Sequence, residues 1–106
     1  MKLIYTAGPY RSESEFGIYL NIRKAEKVAM RLWKEGWCVL CPHLNTQLFD
    51  GVVPAEAFLK GGLLMLSKCD AIYMMKDFRA SRGAKKELKL AKKLGLEIIY
   101  EGEDAI

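Results

Sequence analysis

Among the residues of this chain, Glu87 is the one whose placement most invites chemistry. It lies in the run Ser81-Arg82-Gly83-Ala84-Lys85-Lys86-Glu87-Leu88. Helical spacing puts Ala84, Leu88, Ala91 and Leu94 on one apolar stripe, and Glu87 falls within about 60° of Ala84. A carboxylate on an inward stripe is costly unless it has a partner or a task. Two readings follow: an edge-of-stripe glutamate paired with a surface lysine, or a functional carboxylate near the start of its helix. Ser81, just ahead of that helix, is a good N-cap. The same hydroxyl, with the free amides of Arg82 and Gly83, would also make an anion pocket at the positive helix end. Gly83 leaves space for a phosphate or a ribose against the backbone.

A second group of candidates follows the first apolar run, in Ala7-Gly8-Pro9-Tyr10-Arg11-Ser12. Gly8 lets a ligand approach the backbone closely, Tyr10 can stack on a base or hydrogen-bond a sugar, and Arg11 can grip a phosphate with two prongs. The bland alternative is an ordinary turn with solvated side chains. Neither the dinucleotide fingerprint G-x-G-x-x-G nor the P-loop Gly-Lys-Ser/Thr occurs, so no cofactor is expected. His43, after Pro42, is a structural histidine, a ligand contact or a proton carrier. Asp70, in Cys69-Asp70-Ala71, should lie at the amino end of a strand, where it ends the preceding helix and turns the chain.

Cys38 and Cys41 have the C-x-x-C spacing of a redox pair or half a zinc site. They fall in Trp37-Cys38-Val39-Leu40-Cys41, which reads as a buried strand, whereas the redox motif sits at a helix N-terminus. Zinc would have to recruit Cys69 and His43. Packing by small apolar thiols is the preferred reading, and no metal is expected.

The elements that must position these residues are legible from periodicity. Lys2–Ala7 reads as a strand stopped by Gly8-Pro9, and about 13–35 as a helix with Ile18, Ile22, Ala25, Ala29 and Leu32 inward, ended by Gly36. Trp37–Cys41 is a second strand and 43–53 a loop. A helix should run from Pro54 to about Lys68, kinked or interrupted at Gly61-Gly62. Ala71–Met75 is a third strand, unbroken by polar residues as expected when both faces are covered. A loop over 77–81, a helix from about Arg82 to Leu94 capped by Gly95, a strand at Leu96–Tyr100 and a polar tail over 101–106 complete the chain. This alternation predicts an α/β fold: a doubly wound, Rossmann-like parallel sheet of order 2-1-3-4 with helices on both faces. Ligands of such sheets bind beyond the strand carboxyl ends where the winding reverses, between the loops after the first and third strands.

The chain has 106 residues, 51% hydrophobic and 28% charged. That supports one domain spanning 1–106 and excludes disordered, collagen-like and disulfide-dense classes. No apolar run approaches the ~20 residues of a membrane span, and no secretory signal follows Met1, so a soluble cytoplasmic protein with no membrane partner is expected. Seventeen Lys and Arg against 13 Asp and Glu give +4. Much of the excess lies in Lys85, Lys86, Lys89, Lys92 and Lys93, spread around one helix. A solvated helix surface is preferred to a nucleic-acid face. Such an exterior still attracts phosphorylated small molecules.

The ordered set of motifs resembles the nucleoside 2-deoxyribosyltransferase-like superfamily, particularly its small phage- and bacterium-associated members. The resemblance rests on Tyr5-Thr6-Ala7-Gly8-Pro9-Tyr10, Asn21 with Ala25, Gly36, Pro42-His43, Cys69-Asp70-Ala71, and Ser81-Arg82-Gly83-Ala84 with Glu87 and Ala91. It implies that Glu87 is the nucleophile attacking the anomeric carbon of a 2-deoxyribosyl group. Ser81 and Gly83 would resemble the phosphate cradle of the branch that hydrolyses deoxynucleoside monophosphates. Arg11 and Ser12 would add phosphate contacts, Tyr10 a sugar or base contact, and Asp70 a contact near the substrate. The implied activity is cleavage of the N-glycosidic bond of a 2-deoxynucleoside or its 5'-monophosphate, with a small-molecule nucleoside or nucleotide as partner and a homo-oligomeric assembly. A non-catalytic nucleotide-binding protein using the same pocket is the alternative.

Overall fold

The β-favouring run Leu3-Ile4-Tyr5-Thr6-Ala7 forms strand β1 (Leu3–Ala7) in the computed structural model, which describes residues 1–102. Helix α1 (Glu15–Lys34) starts at Ser14, whose side chain accepts the Gly17 amide at 3.0 Å. It buries Ile22, Ala25, Val28, Ala29 and Leu32. Gly36, at φ +99°, turns the chain into β2 (Cys38–Leu40), with the Trp37 amide donating to the Leu32 carbonyl at 3.1 Å. Then come α2 (Pro42–Asn45), α3 (Ala55–Leu66) and β3 (Ala71–Met74). A 3-10 turn over Phe78–Ala80 leads into α4 (Arg82–Leu94) and β4 (Glu97–Tyr100). Of the polar tail expected over 101–106, residues 103–106 lie outside the described residues.

All neighbouring strands are parallel and the order is β2-β1-β3-β4, the doubly wound α/β arrangement expected from the alternation of elements. Side chains alternate across the sheet. Ile4, Ala71, Tyr73 and Met75 pack with the inward residues of α1 on one face. On the other, Tyr5, Ala7, Ile72 and Met74 pack with Leu66 of α3 and with Ala84 and Ala91 of α4. Burial of large apolar side chains such as Leu32 and Leu66 contributes about 1.5–3 kcal/mol each.

Two local expectations give way. The segment after the second strand is not all loop: α2 forms because Pro42 occupies its first turn and the Cys41 carbonyl accepts the Leu44 and Asn45 amides, both at 3.1 Å. Four residues are too few to leave a period in a sequence. The Gly61-Gly62 pair does not interrupt α3, which runs unbroken from Ala55 to Leu66. The second of those glycines is buried against other parts of the chain. Among the described residues, no helix is long and apolar enough to cross a membrane.

Candidate active site

Beyond the carboxyl ends of β1 and β3, where the winding reverses, a cleft of about 580 Å³ opens. Its size is within the range of small-molecule sites. Three segments wall it: the loop after β1, the stretch from α2 to the first turns of α3, and the first turns of α4.

Helix α4 delivers Glu87. Ser81 caps the helix, its Oγ accepting the Ala84 amide at 3.1 Å, which fixes the angle at which the chain enters. Ala84 and Ala91 seat it on the sheet, and Glu87, between them on the same side, reaches Tyr5 of β1. The fully buried Tyr5 hydroxyl donates to Glu87 Oε2. Among the described residues the Glu87 carboxylate forms no ion pair. Burial pushes its carboxyl from the usual 4.5 up to about 7, and the Tyr5 hydrogen bond works in the opposite direction by favouring the ionised form. Tyr5 itself is pushed far above the ordinary tyrosine range by burial and by the neighbouring carboxylate, so it stays protonated and a donor.

The loop after β1 is held by side chains from elsewhere. His43 Nε2 lies 2.8 Å from the Pro9 carbonyl, and Asn21 Nδ2 donates to the Tyr10 carbonyl at 3.0 Å and to the Arg11 carbonyl at 3.4 Å. The carbonyl is an acceptor, so His43 is the Nε2–H tautomer, with Nδ1 left as an acceptor that has no partner among the described residues. Burial lowers the His43 pKa, so its ring is neutral at pH 7; the Pro9 carbonyl opposes that shift. Tyr10 packs against the His43 ring at 5.7 Å between centroids, and its hydroxyl donates to Asp50 Oδ2 at 3.2 Å across the cleft mouth.

Of the side chains singled out in the sequence, Gly8, Tyr10, Arg11, His43, Ser81, Gly83 and Glu87 line this one cleft. Gly8 has a structural reason to lack a side chain: a Cβ there would lie 2.6 Å from Met75 Sδ and 2.9 Å from Met75 Cβ. The structure does not bring Ser12 or Asp70 to the cleft. Ser12 is exposed and packs over Gly17 in the first turn of α1. Asp70 sits at the opposite end of the sheet, where its amide donates to the Leu3 carbonyl and its Oδ2 accepts the Leu3 amide, both at 2.8 Å. The placement follows from chain direction, since Asp70 immediately precedes β3.

Sequence reasoning missed Tyr5, Asn21, Asp50 and Lys86 as site residues, and of Arg82 it singled out the amide but not the side chain. Tyr5 carried a usable signal: a tyrosine inside an apolar strand needs a partner for its hydroxyl. Arg11, Arg82 and Lys86 all line the cleft and, among the described residues, form no ion pair. Among the described residues, the amides of Arg82 and Gly83 open α4 without a backbone acceptor. The five lysines of α4 are solvent-exposed, Lys86 at the cleft margin. Cys38, Cys41 and Cys69 are free thiols, and burial raises the pKa of Cys41 and takes Cys69 to about 11, which keeps both protonated.

A chemical repertoire follows from this geometry. Among the described residues it holds the Glu87 carboxylate with the neutral Tyr5 hydroxyl as donor, the Asp50 and Glu56 carboxylates, three cations without an ion pair, helix-end amides, and aromatic surface from Tyr10 and Phe58.

Solved structures place the fold. A 2-deoxyribosyltransferase from the psychrotolerant bacterium Bacillus psychrosaccharolyticus superposes with a TM-score of 0.65 at 24% identity, over 92% of this chain and 70% of that one. The 2-deoxyribosyltransferase from Leishmania mexicana superposes with a TM-score of 0.55 at 23% identity, over 94% of this chain and 63% of that one. The chain therefore spans less than two thirds of the Leishmania protein. At these identities the likeness is one of fold, shared with two 2-deoxyribosyltransferases. No curated protein matches the chain in sequence. The match over residues 2–100 shows that the chain belongs to the family described as Domain of unknown function (DUF4406).

Proposed function

We propose that this cleft cleaves the N-glycosidic bond of a 2-deoxynucleoside or its 5'-monophosphate, with Glu87 as the nucleophile. The observation that carries the reading is the Glu87 carboxylate itself: half-buried in a ligand-sized cleft, hydrogen-bonded by Tyr5 and, among the described residues, paired with no cation. A carboxyl titrating near 7 is about half ionised at neutral pH, which supplies a nucleophile whose burial disfavours its charge. Attack on the sugar C1' forms a glycosyl ester. The C–N bond breaks with its electron pair leaving on the base nitrogen, which takes up a proton. Water then hydrolyses the ester and restores the carboxyl group, or the nitrogen of a second base takes the sugar instead. The likeness in fold to two 2-deoxyribosyltransferases supports this reaction class.

Recognition is divided between the walls. Arg11, Arg82 and the free amides at the start of α4 suit a 5'-phosphate, with the Ser81 hydroxyl still able to donate. Tyr10, His43 and Phe58 suit the sugar and base.

The test is direct. A panel of deoxynucleosides and deoxynucleoside monophosphates is incubated with the protein and released base is resolved by chromatography, with Glu87→Ala as control. Base release that the substitution abolishes supports the proposal. Tight binding with no release from any member of the panel would sink it and leave a nucleotide-binding protein.

A further inference from the structure

Helix α3 carries two adjacent glycines in its interior, where glycine is the poorest choice short of proline. They differ completely in surroundings. A Cβ on Gly61 would meet nothing within 4 Å. On Gly62 it would lie 2.7 Å from the Tyr5 hydroxyl oxygen and 3.5 Å from Glu87 Oε2. The first distance is shorter than real contacts of this kind allow. Nor can the hydroxyl swing aside cheaply, because the Tyr5 ring is fully buried in a strand flanked by strands on both sides. The ring carbon bearing that hydroxyl is 4.0 Å from the same point, an ordinary contact.

We infer that Gly62 is a positioning residue for Glu87: its missing side chain lets α3 settle onto the Tyr5–Glu87 pair, holding hydroxyl and carboxylate together and closing them from water on that side. The functional meaning of this seat rests on Glu87 being the nucleophile, but its existence does not. Any side chain at 62 must either push the hydroxyl off the carboxylate or lift the helix and admit water. The Tyr5→Phe substitution removes the one atom that a Cβ would strike, so the two positions are coupled in a way that a general intolerance of α3 would not reproduce.

The experiment is a double-mutant cycle read by thermal unfolding and by carbon-13 NMR titration of the Glu87 carboxyl group, neither of which needs turnover. Gly61→Ala raises Tm. Gly62→Ala lowers Tm by about 4–8 °C, as expected where the clash outweighs the gain in helix propensity by roughly the amount that gives such a shift in a small domain. It also moves the Glu87 midpoint, upward if the hydroxyl is displaced and downward if the helix lifts. In the Tyr5→Phe background, Gly62→Ala raises Tm as Gly61→Ala does and leaves the midpoint in place. The inference is overturned if Gly62→Ala behaves like Gly61→Ala in the native background, or costs the same Tm in both. Should Gly62→Ala fail to fold alone, the double variant decides: a folded Tyr5→Phe/Gly62→Ala protein supports the inference and an unfolded one overturns it. If the coupling holds in a protein that releases no base, the glycosidase reading fails and the seat stands. Base release without the coupling keeps the glycosidase reading and overturns the seat.

Discussion

Each end of the sheet carries one acidic residue in contact with β1, and the two are treated in opposite ways. At the amino end Asp70 is exposed and joined to Leu3 by two hydrogen bonds of 2.8 Å, one from its backbone and one to its carboxylate. At the carboxyl end Glu87 is half-buried in a cleft with the neutral Tyr5 hydroxyl as its donor. The first arrangement gives a charge what it needs and ties two strands together. The second withholds a counter-charge and leaves the carboxyl at about 7. A fold that only needed to hold its sheet together would gain nothing from the second arrangement. Perturbed groups held in clefts are candidates for chemistry, which is the ground of the role proposed for Glu87.

Four measurements break or sharpen this contrast. The largest expected effect is on turnover: Glu87→Gln should reduce base release by roughly 10³-fold or more, as loss of a nucleophile does, while leaving the fold intact. Activity retained within tenfold would place the chemistry elsewhere.

Next comes stability against pH. The folded carboxyl titrates near 7 and the unfolded one near 4.5, so the folded state holds the proton more tightly. The contribution is fully present below about 4.5 and is lost as pH rises through 7, a fall of about 3 kcal/mol on the order-of-magnitude conversion. Denaturant unfolding at pH 5 and pH 8 should show this fall in the native protein, and Glu87→Gln should flatten it. Equal slopes for the two proteins would mean that the carboxylate is solvated.

The third effect is Tyr5→Phe. Losing a hydrogen bond to a charged group should cost roughly 10–100-fold in base release at pH 7 and move the rising limb of the pH–rate profile upward, because the hydroxyl favours the ionised carboxylate. A limb that moves downward would show that Tyr5 shields Glu87 more than it supports it. The smallest effect belongs to the other end of the sheet. Asp70→Ala should cost about 1 kcal/mol of stability and leave base release unchanged. Release lost at full stability would bring Asp70 back into the chemistry that the resemblance implies for it.

How much of this was legible in the sequence follows the same division. The order 2-1-3-4 and the inward direction of Glu87 were readable because a helical period and a right-handed crossover each leave few alternatives. The end of the sheet at which Asp70 lies could be read from chain direction alone. The partnership of Tyr5 and Glu87 could not, since 82 positions separate them and only packing decides which tyrosine meets which acid. Asn21 was visible as part of a motif but not as the side chain that pins the Tyr10 and Arg11 carbonyls. Ser12 is the reverse case: the resemblance implies a phosphate contact for it, and the structure seats it over Gly17 in the first turn of α1, outside the cleft lining.

The two alanines under α4 carry one more consequence. Ala84 and Ala91 are almost wholly enclosed, and Glu87 sits between them along the helix. Their methyl groups act as spacers that set the height of the acid above the strands. A bulkier residue at either position would work like a shim, tilting or raising the rod on which the carboxylate is mounted. The reach of the Glu87 carboxylate is thus set by two of the plainest side chains in the molecule, Ala84 at the cleft wall and Ala91 beneath the helix.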